Sequence, residues 1–71
     1  MYIAGRCKLR ELLSEINMAQ QELANRTGIQ KQHISEYIND KRKMSLSTAK
    51  TIASELNRSI DDLYEWIYIE R

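Results

Sequence analysis

Proline is absent from this 71-residue chain, glycine occurs twice, and cysteine and histidine occur once each. With no proline and so little glycine, the chain has few breakers, which favours helices joined by short turns. A single cysteine, Cys7, excludes an internal disulfide. One Cys and one His cannot complete a tetrahedral zinc site within the chain, so no metal and no cofactor are expected. No apolar run approaches the ~18 residues needed to span a bilayer. The start MYIAGRCKLR lacks the apolar stretch of a secretory signal. A cytoplasmic protein without a membrane partner is expected. No Ser-His-acid or Cys-His constellation and no phosphate-cradling glycine loop stands out, so no catalytic residue is assigned and an enzyme is not expected.

Hydrophobic residues make up 42% of the chain and charged residues 30%, ordinary values for a folded protein. A chain this short buries only about 60% of its unfolded surface, so we expect one domain over 1–71, with modest stability. Net charge is +1, but residues 1–43 carry eight Lys or Arg against five acids, and residues 44–71 carry three against five. The basic half is the one that suits phosphate contacts, although unevenness of this size also arises by chance.

Hydrophobic periodicity predicts five helices, at about 4–16, 20–26, 30–38, 47–56 and 60–69, and hence an all-α fold. Leu9, Leu12, Leu13 and Ile16 form the stripe of the first. Leu23 and Ala24 supply that of the second, and Ile34, Tyr37 and Ile38 that of the third. Leu46, Ala49, Ile52, Ala53 and Leu56 face inward from the fourth, with Ser47 as its N-cap. Ile60, Leu63, Tyr64 and Ile67 mark the fifth, opened by a Ser59–Asp62 capping box. Between the second and third helices, Arg26-Thr27-Gly28-Ile29 leaves room only for a tight turn, with glycine where positive φ is needed. This is a helix-turn-helix. Ala19, at the start of its first helix, cannot cap, which costs ~1 kcal/mol unless Asn17 caps from an earlier start.

Read together, Gln20, Glu22, Leu23, Ala24, Gly28, Ile29, Ile34 and Ser35 resemble the lambda-repressor-like family of DNA-binding domains, the Cro and Xre-type regulators. The resemblance extends to NDKRK and LSTAKTIASELNRSIDDL, covering roughly residues 6–64. It implies a double-stranded DNA operator read through the major groove by helix 30–38. Positions matching the family's base contacts are Lys31, Gln32, Ser35 and Glu36. Gln20, Gln30, Asn39, Lys41, Arg42 and Lys43 match or adjoin its sugar-phosphate contacts. Arg10 either reaches the backbone, pairs with an acid on the second helix, or is simply solvated.

The chemistry of these side chains fits the assignment. With Ile34, Tyr37 and Ile38 inward, Lys31, Gln32, Ser35, Glu36 and Asn39 stand outward. Lysine donates to guanine O6 and N7, and glutamine matches adenine N6 and N7. Glu36 either accepts from a cytosine amine, contacts Gln32 one turn away, or repels wrong sites by its charge. His33 and Cys7 are read as unremarkable side chains, Cys7 as a buried one. Asp40 stands where the family commonly has glycine, and tolerates a left-handed helix end better than most residues.

Trp66, Tyr68 and Ile69 have no evident home on the fifth helix. They form either a dimer surface, the favoured reading, or a segment folding back on Tyr2 and Ile3. The sequence therefore suggests a small repressor of phage or mobile-element type, a homodimer at least on DNA, bound to an inverted repeat and taking no small-molecule ligand. The rival is a protein-interaction module, such as an antitoxin, on the same fold.

Overall fold

A computed structural model describes residues 1–70 and shows a two-stranded antiparallel sheet set against four α-helices. In chain order the elements are strand β1 (Tyr2–Cys7), helices α1 (Leu9–Glu15), α2 (Gln20–Thr27), α3 (Lys31–Ile38) and α4 (Leu46–Glu55), a 3₁₀ turn (Ile60–Leu63), and strand β2 (Tyr64–Tyr68).

The all-α, five-helix expectation is corrected at both ends. The first helix starts at Leu9 rather than near residue 4, because residues 2–7 pair with the end of the chain. The fifth helix does not form. Its capping box is present, with Ser59 N–H donating to Asp62 Oδ2 at 3.2 Å, but it opens only one 3₁₀ turn before Tyr64 goes extended. The physical reason lies in side-chain type. Tyr2, Ile3, Tyr64, Trp66, Ile67 and Tyr68 are aromatic or β-branched, and such residues pack best on a pleated surface with cross-strand neighbours. Tyr2 opposes Tyr68, Ile3 opposes Ile67 and Ala4 opposes Trp66. The alternative in which the C-terminal segment folds back on Tyr2 and Ile3 is thus realised, as a strand.

The register slips between Ala4 and Cys7, and Gly5 sits at this irregularity. A Cβ there would lie 2.9 Å from Ile67 Cδ1 and 3.1 Å from the Glu65 carbonyl oxygen. Gly5→Val will therefore cost about 1–3 kcal/mol by overpacking, read as a lowered urea midpoint with unchanged m.

The helices end by a shared device. Asn17, Gly28, Asp40 and Asn57 all have positive φ, between 56° and 76°, and follow α1, α2, α3 and α4 in turn. Asparagine and aspartate reach this region with short polar side chains, which explains how a chain with two glycines ends four helices cleanly. Asn17 is thus the terminator of α1 and no cap for α2. Ala19 precedes α2 without any side-chain cap.

At α4 the cap is Ser45, not Ser47. Its Oγ accepts from Thr48 N–H at 3.1 Å. Because the helix begins earlier than expected, Leu46 falls in its first turn and is 76% exposed instead of inward. Ile16 and Ile67, also expected inward, are 43% and 48% exposed, because α1 ends before Ile16 and Ile67 lies on strand β2. The other stripe residues converge. Leu9, Leu23, Ile34, Ile52 and Leu63 are fully buried, and Cys7 lies among them. Ile29 and Met44 pack against the edge of this core.

Candidate nucleic-acid interface

The geometry of the α2–α3 turn comes from Gly28 and Thr27. Gly28, at φ 76°, donates its N–H to the Ala24 carbonyl at 2.9 Å. Thr27 Oγ1 donates to Leu23 O and accepts from Ile29 N–H, closing the turn from the side-chain direction. Helix α3 then buries Ile34, Tyr37 and Ile38. That anchoring leaves Lys31, Gln32 and Asn39 exposed, and Ser35 and Glu36 half-buried, on the opposite side. Gln30, exposed, immediately precedes α3, and the half-buried Gln20 opens α2.

Polar contacts among these residues are few and specific. Asn39 Nδ2 donates back to Ser35 O at 2.9 Å, and its Oδ1 accepts from Arg10 Nη2 at 3.2 Å. Arg10 therefore meets the end of α3, not an acid on α2. Arg42 Nε donates to Glu36 Oε1 at 3.0 Å. Lys41 is exposed on the same loop.

The loop after α3 is held by long-range contacts that local periodicity does not indicate. Asp40 Oδ1 accepts from Cys7 N–H at 3.0 Å, so the residue that ends α3 also fixes the end of β1. Tyr64 Oη accepts from Met44 N–H at 3.1 Å. Burial raises the Tyr64 phenol above its ordinary value and keeps it neutral. Lys43 turns inward. Its Nζ donates to Gly5 O at 2.9 Å and to Ala4 O at 3.4 Å, and lies 4.9 Å from the centre of the Tyr64 ring. Of the basic run Lys41-Arg42-Lys43, the third member is thus occupied by the sheet. The sequence signal for this is slight: an aspartate at a left-handed position, and a tyrosine in phase with the stripe of a helix that does not form.

Cys7 is buried, and burial raises its thiol pKa, the opposite of what an activated thiolate requires. Arg6 holds Glu11 below the usual carboxylate range by hydrogen bonding at the surface, away from α3. Among the described residues no cluster of His, Cys, Asp or Glu could hold a metal ion. No helix among them is long and apolar enough to cross a membrane.

Trp66, Tyr68 and Ile69 lie at the sheet. Trp66 Nε1 donates to Asp61 O at 3.0 Å, and the Tyr68 ring packs edge-on to Tyr2 with centroids 5.1 Å apart. Each of the three nevertheless remains between 42% and 61% exposed, so the strand leaves an aromatic and aliphatic surface open.

Comparison with known proteins agrees with this geometry. The chain is 37% identical over 65 residues to the SPbeta prophage-derived uncharacterized HTH-type transcriptional regulator YotL of Bacillus subtilis, an alignment covering 90% of this chain and 81% of that protein. It is 41% identical over 63 residues to the similarly described YopS of the same organism, covering 87% and 85%. An HTH-type transcriptional regulator of Archaeoglobus fulgidus is 34% identical over 59 residues, covering 83% of each chain. The sequence model of the Cro/C1-type HTH DNA-binding domain matches residues 8–68, from the residue before α1 to the last of β2. The chain belongs to the Cro/C1-type HTH DNA-binding domain family.

Proposed function

We propose that this protein is a sequence-specific, DNA-binding transcriptional regulator, acting as a repressor that occupies a promoter. The observation that carries the reading is the outward side of α3. It offers hydrogen-bonding groups at Lys31, Gln32, Ser35 and Glu36, with the cations Arg10, Lys41 and Arg42 around it, while Tyr37 is turned into the core. A face without aromatic anchors is poor material for a protein hot spot and suited to base edges and phosphates. Relatives described as prophage-derived regulators support a phage or mobile-element setting.

In this reading Lys31 and Gln32 read bases from the first turn of α3, and Lys41 contacts phosphate. Gln20 and Gln30 flank the reader at the starts of two helices, whose free N–H groups favour anions. Lys31→Ala will relax preference at one base pair at a cost of ~1–3 kcal/mol. Lys41→Ala will weaken cognate and random duplexes alike and lower the salt slope by about one. Selection from a random duplex pool at two salt concentrations tests the reading. An enriched inverted repeat supports it, and no binding to any duplex at low salt rejects it.

The two-fold symmetry of such a site would come from β2. Met1 and Ile69 exchange both backbone hydrogen bonds, at 2.7 and 3.0 Å. Antiparallel pairs alternate, so the backbone groups of Trp66 and Tyr68 point away from β1 toward the open side of β2. The outer side of β1 is blunted by Lys43, whose Nζ covers the Ala4 carbonyl. We infer that β2 pairs with β2 of a second copy, joining two sheets into one of four strands and burying Trp66, Tyr68 and Ile69 at the seam.

A further inference from the structure

We propose that Arg42 is a positioning residue for base selection: by holding one oxygen of Glu36, it turns that carboxylate into a reader of exocyclic amines. The inference rests on the DNA-reading role of α3 given above. Its starting point is the Arg42 Nε to Glu36 Oε1 contact at 3.0 Å, between a guanidinium side chain 53% exposed and a carboxylate side chain 28% exposed.

The contact is prepared by the backbone. Asp40 at φ 58° reverses the chain after α3, and Lys41 N–H donates to the Glu36 carbonyl at 2.9 Å. Asp40 is tied to Cys7, Lys43 to Gly5, and Met44 to Tyr64. Both flanks of Arg42 are thereby pinned, so its side chain returns to the helix turn bearing Glu36 without ordering a loose loop. Surface ion pairs contribute about 0–1 kcal/mol to stability, so this one contributes little to the fold. Its consequence is orientation.

A lone glutamate facing a duplex is repelled by phosphates and samples several rotamers. With Oε1 occupied by Arg42, Glu36 presents Oε2, an acceptor to which no group among the described residues donates. Cytosine N4 and adenine N6 carry the matching amine, whereas guanine O6 and thymine O4 would set an acceptor against an anion. Arg42 engages Glu36 through Nε, which leaves its two terminal nitrogens to donate to a phosphate. The pair thus links backbone register to base choice at one position. Lysine cannot substitute, because its single ammonium cannot hold the carboxylate and a phosphate in this fixed fork.

The test compares wild type, Arg42→Lys, Glu36→Gln and the double variant, each in random-pool selection and in competition binding with duplexes differing at the selected position. Thermal melts check the fold. The expected result is that Arg42→Lys keeps the melting temperature and the salt slope but lowers the amine-base preference at one position about tenfold. In the Glu36→Gln background the same change will leave base preference unmoved. An Arg42→Lys variant that keeps the wild-type preference, or that loses it equally with and without Glu36, overturns the proposal. If wild type binds no duplex, the DNA-reading role itself fails, a different outcome from intact binding with unaltered preference.

Discussion

Ile34→Ala will destabilise the protein by about 2–5 kcal/mol, enough to leave a large part of a domain this small unfolded at room temperature. Ile34 is 0% exposed on the inner side of α3 and belongs to the single buried cluster that α1, α2 and α4 also enter. Its removal leaves a cavity under the reading helix. The neighbours have little freedom to fill it, since Leu9, Leu23, Ile52 and Leu63 are themselves fully buried. A 71-residue chain has no reserve of core with which to absorb the loss. Urea titration followed by far-UV circular dichroism checks the expectation. A midpoint shift equivalent to less than 1 kcal/mol would mean that α3 is not anchored as described. DNA binding will fall in parallel with the folded fraction, unlike the Lys31→Ala variant, which keeps the fold and changes only preference.

The second large effect is expected from Tyr68→Pro. Proline removes one N–H, and at residue 68 that N–H faces the open side of β2, not β1. The intramolecular ladder therefore keeps its hydrogen bonds, while the seam of the proposed four-stranded sheet loses a donor at its centre. Linked half-sites multiply binding, so uncoupling the two copies will weaken binding to an inverted repeat by about 10²-fold or more and leave binding to a single half-site near its wild-type level. Sedimentation of the complex on long and half-length duplexes reads the stoichiometry directly. Equal losses on both duplexes would show that Tyr68 acts within one subunit, and the seam would have to lie elsewhere.

Both expectations depend on how local pattern and long-range pairing share control of this chain. Residues 20–38 were readable because every cue there is local. Leu23 and Ala24, then Ile34, Tyr37 and Ile38, recur at helical spacing, and Gly28 supplies the one turn that joins them. The outward side of α3 followed by elimination, since whatever is not in the stripe must face away. The ends of the chain are not legible in the sequence, for the complementary reason. Ile60, Leu63, Tyr64 and Ile67 match a helix by spacing, yet Tyr64, Trp66 and Tyr68 also alternate as a strand would. Five residues cannot distinguish the two patterns. The decision is made by a strand at the opposite end of the chain.

The same holds for the loop after α3. Asn39-Asp40-Lys41-Arg42-Lys43 reads as a charged run suited to phosphate contacts, and in the fold Lys43 is committed to the Gly5 carbonyl and the Tyr64 ring, and Asp40 to the Cys7 amide. What composition and spacing determined by themselves is the helix-turn-helix and the polar identity of its reading side, because a helix displays its own period within a dozen residues. Only tertiary structure decided that the termini form a sheet, that Lys43 supports the fold, and that Arg42 reaches Glu36. Those contacts join residues whose separation along the chain carries no periodic signal, and they form only once the core has fixed where each element lies.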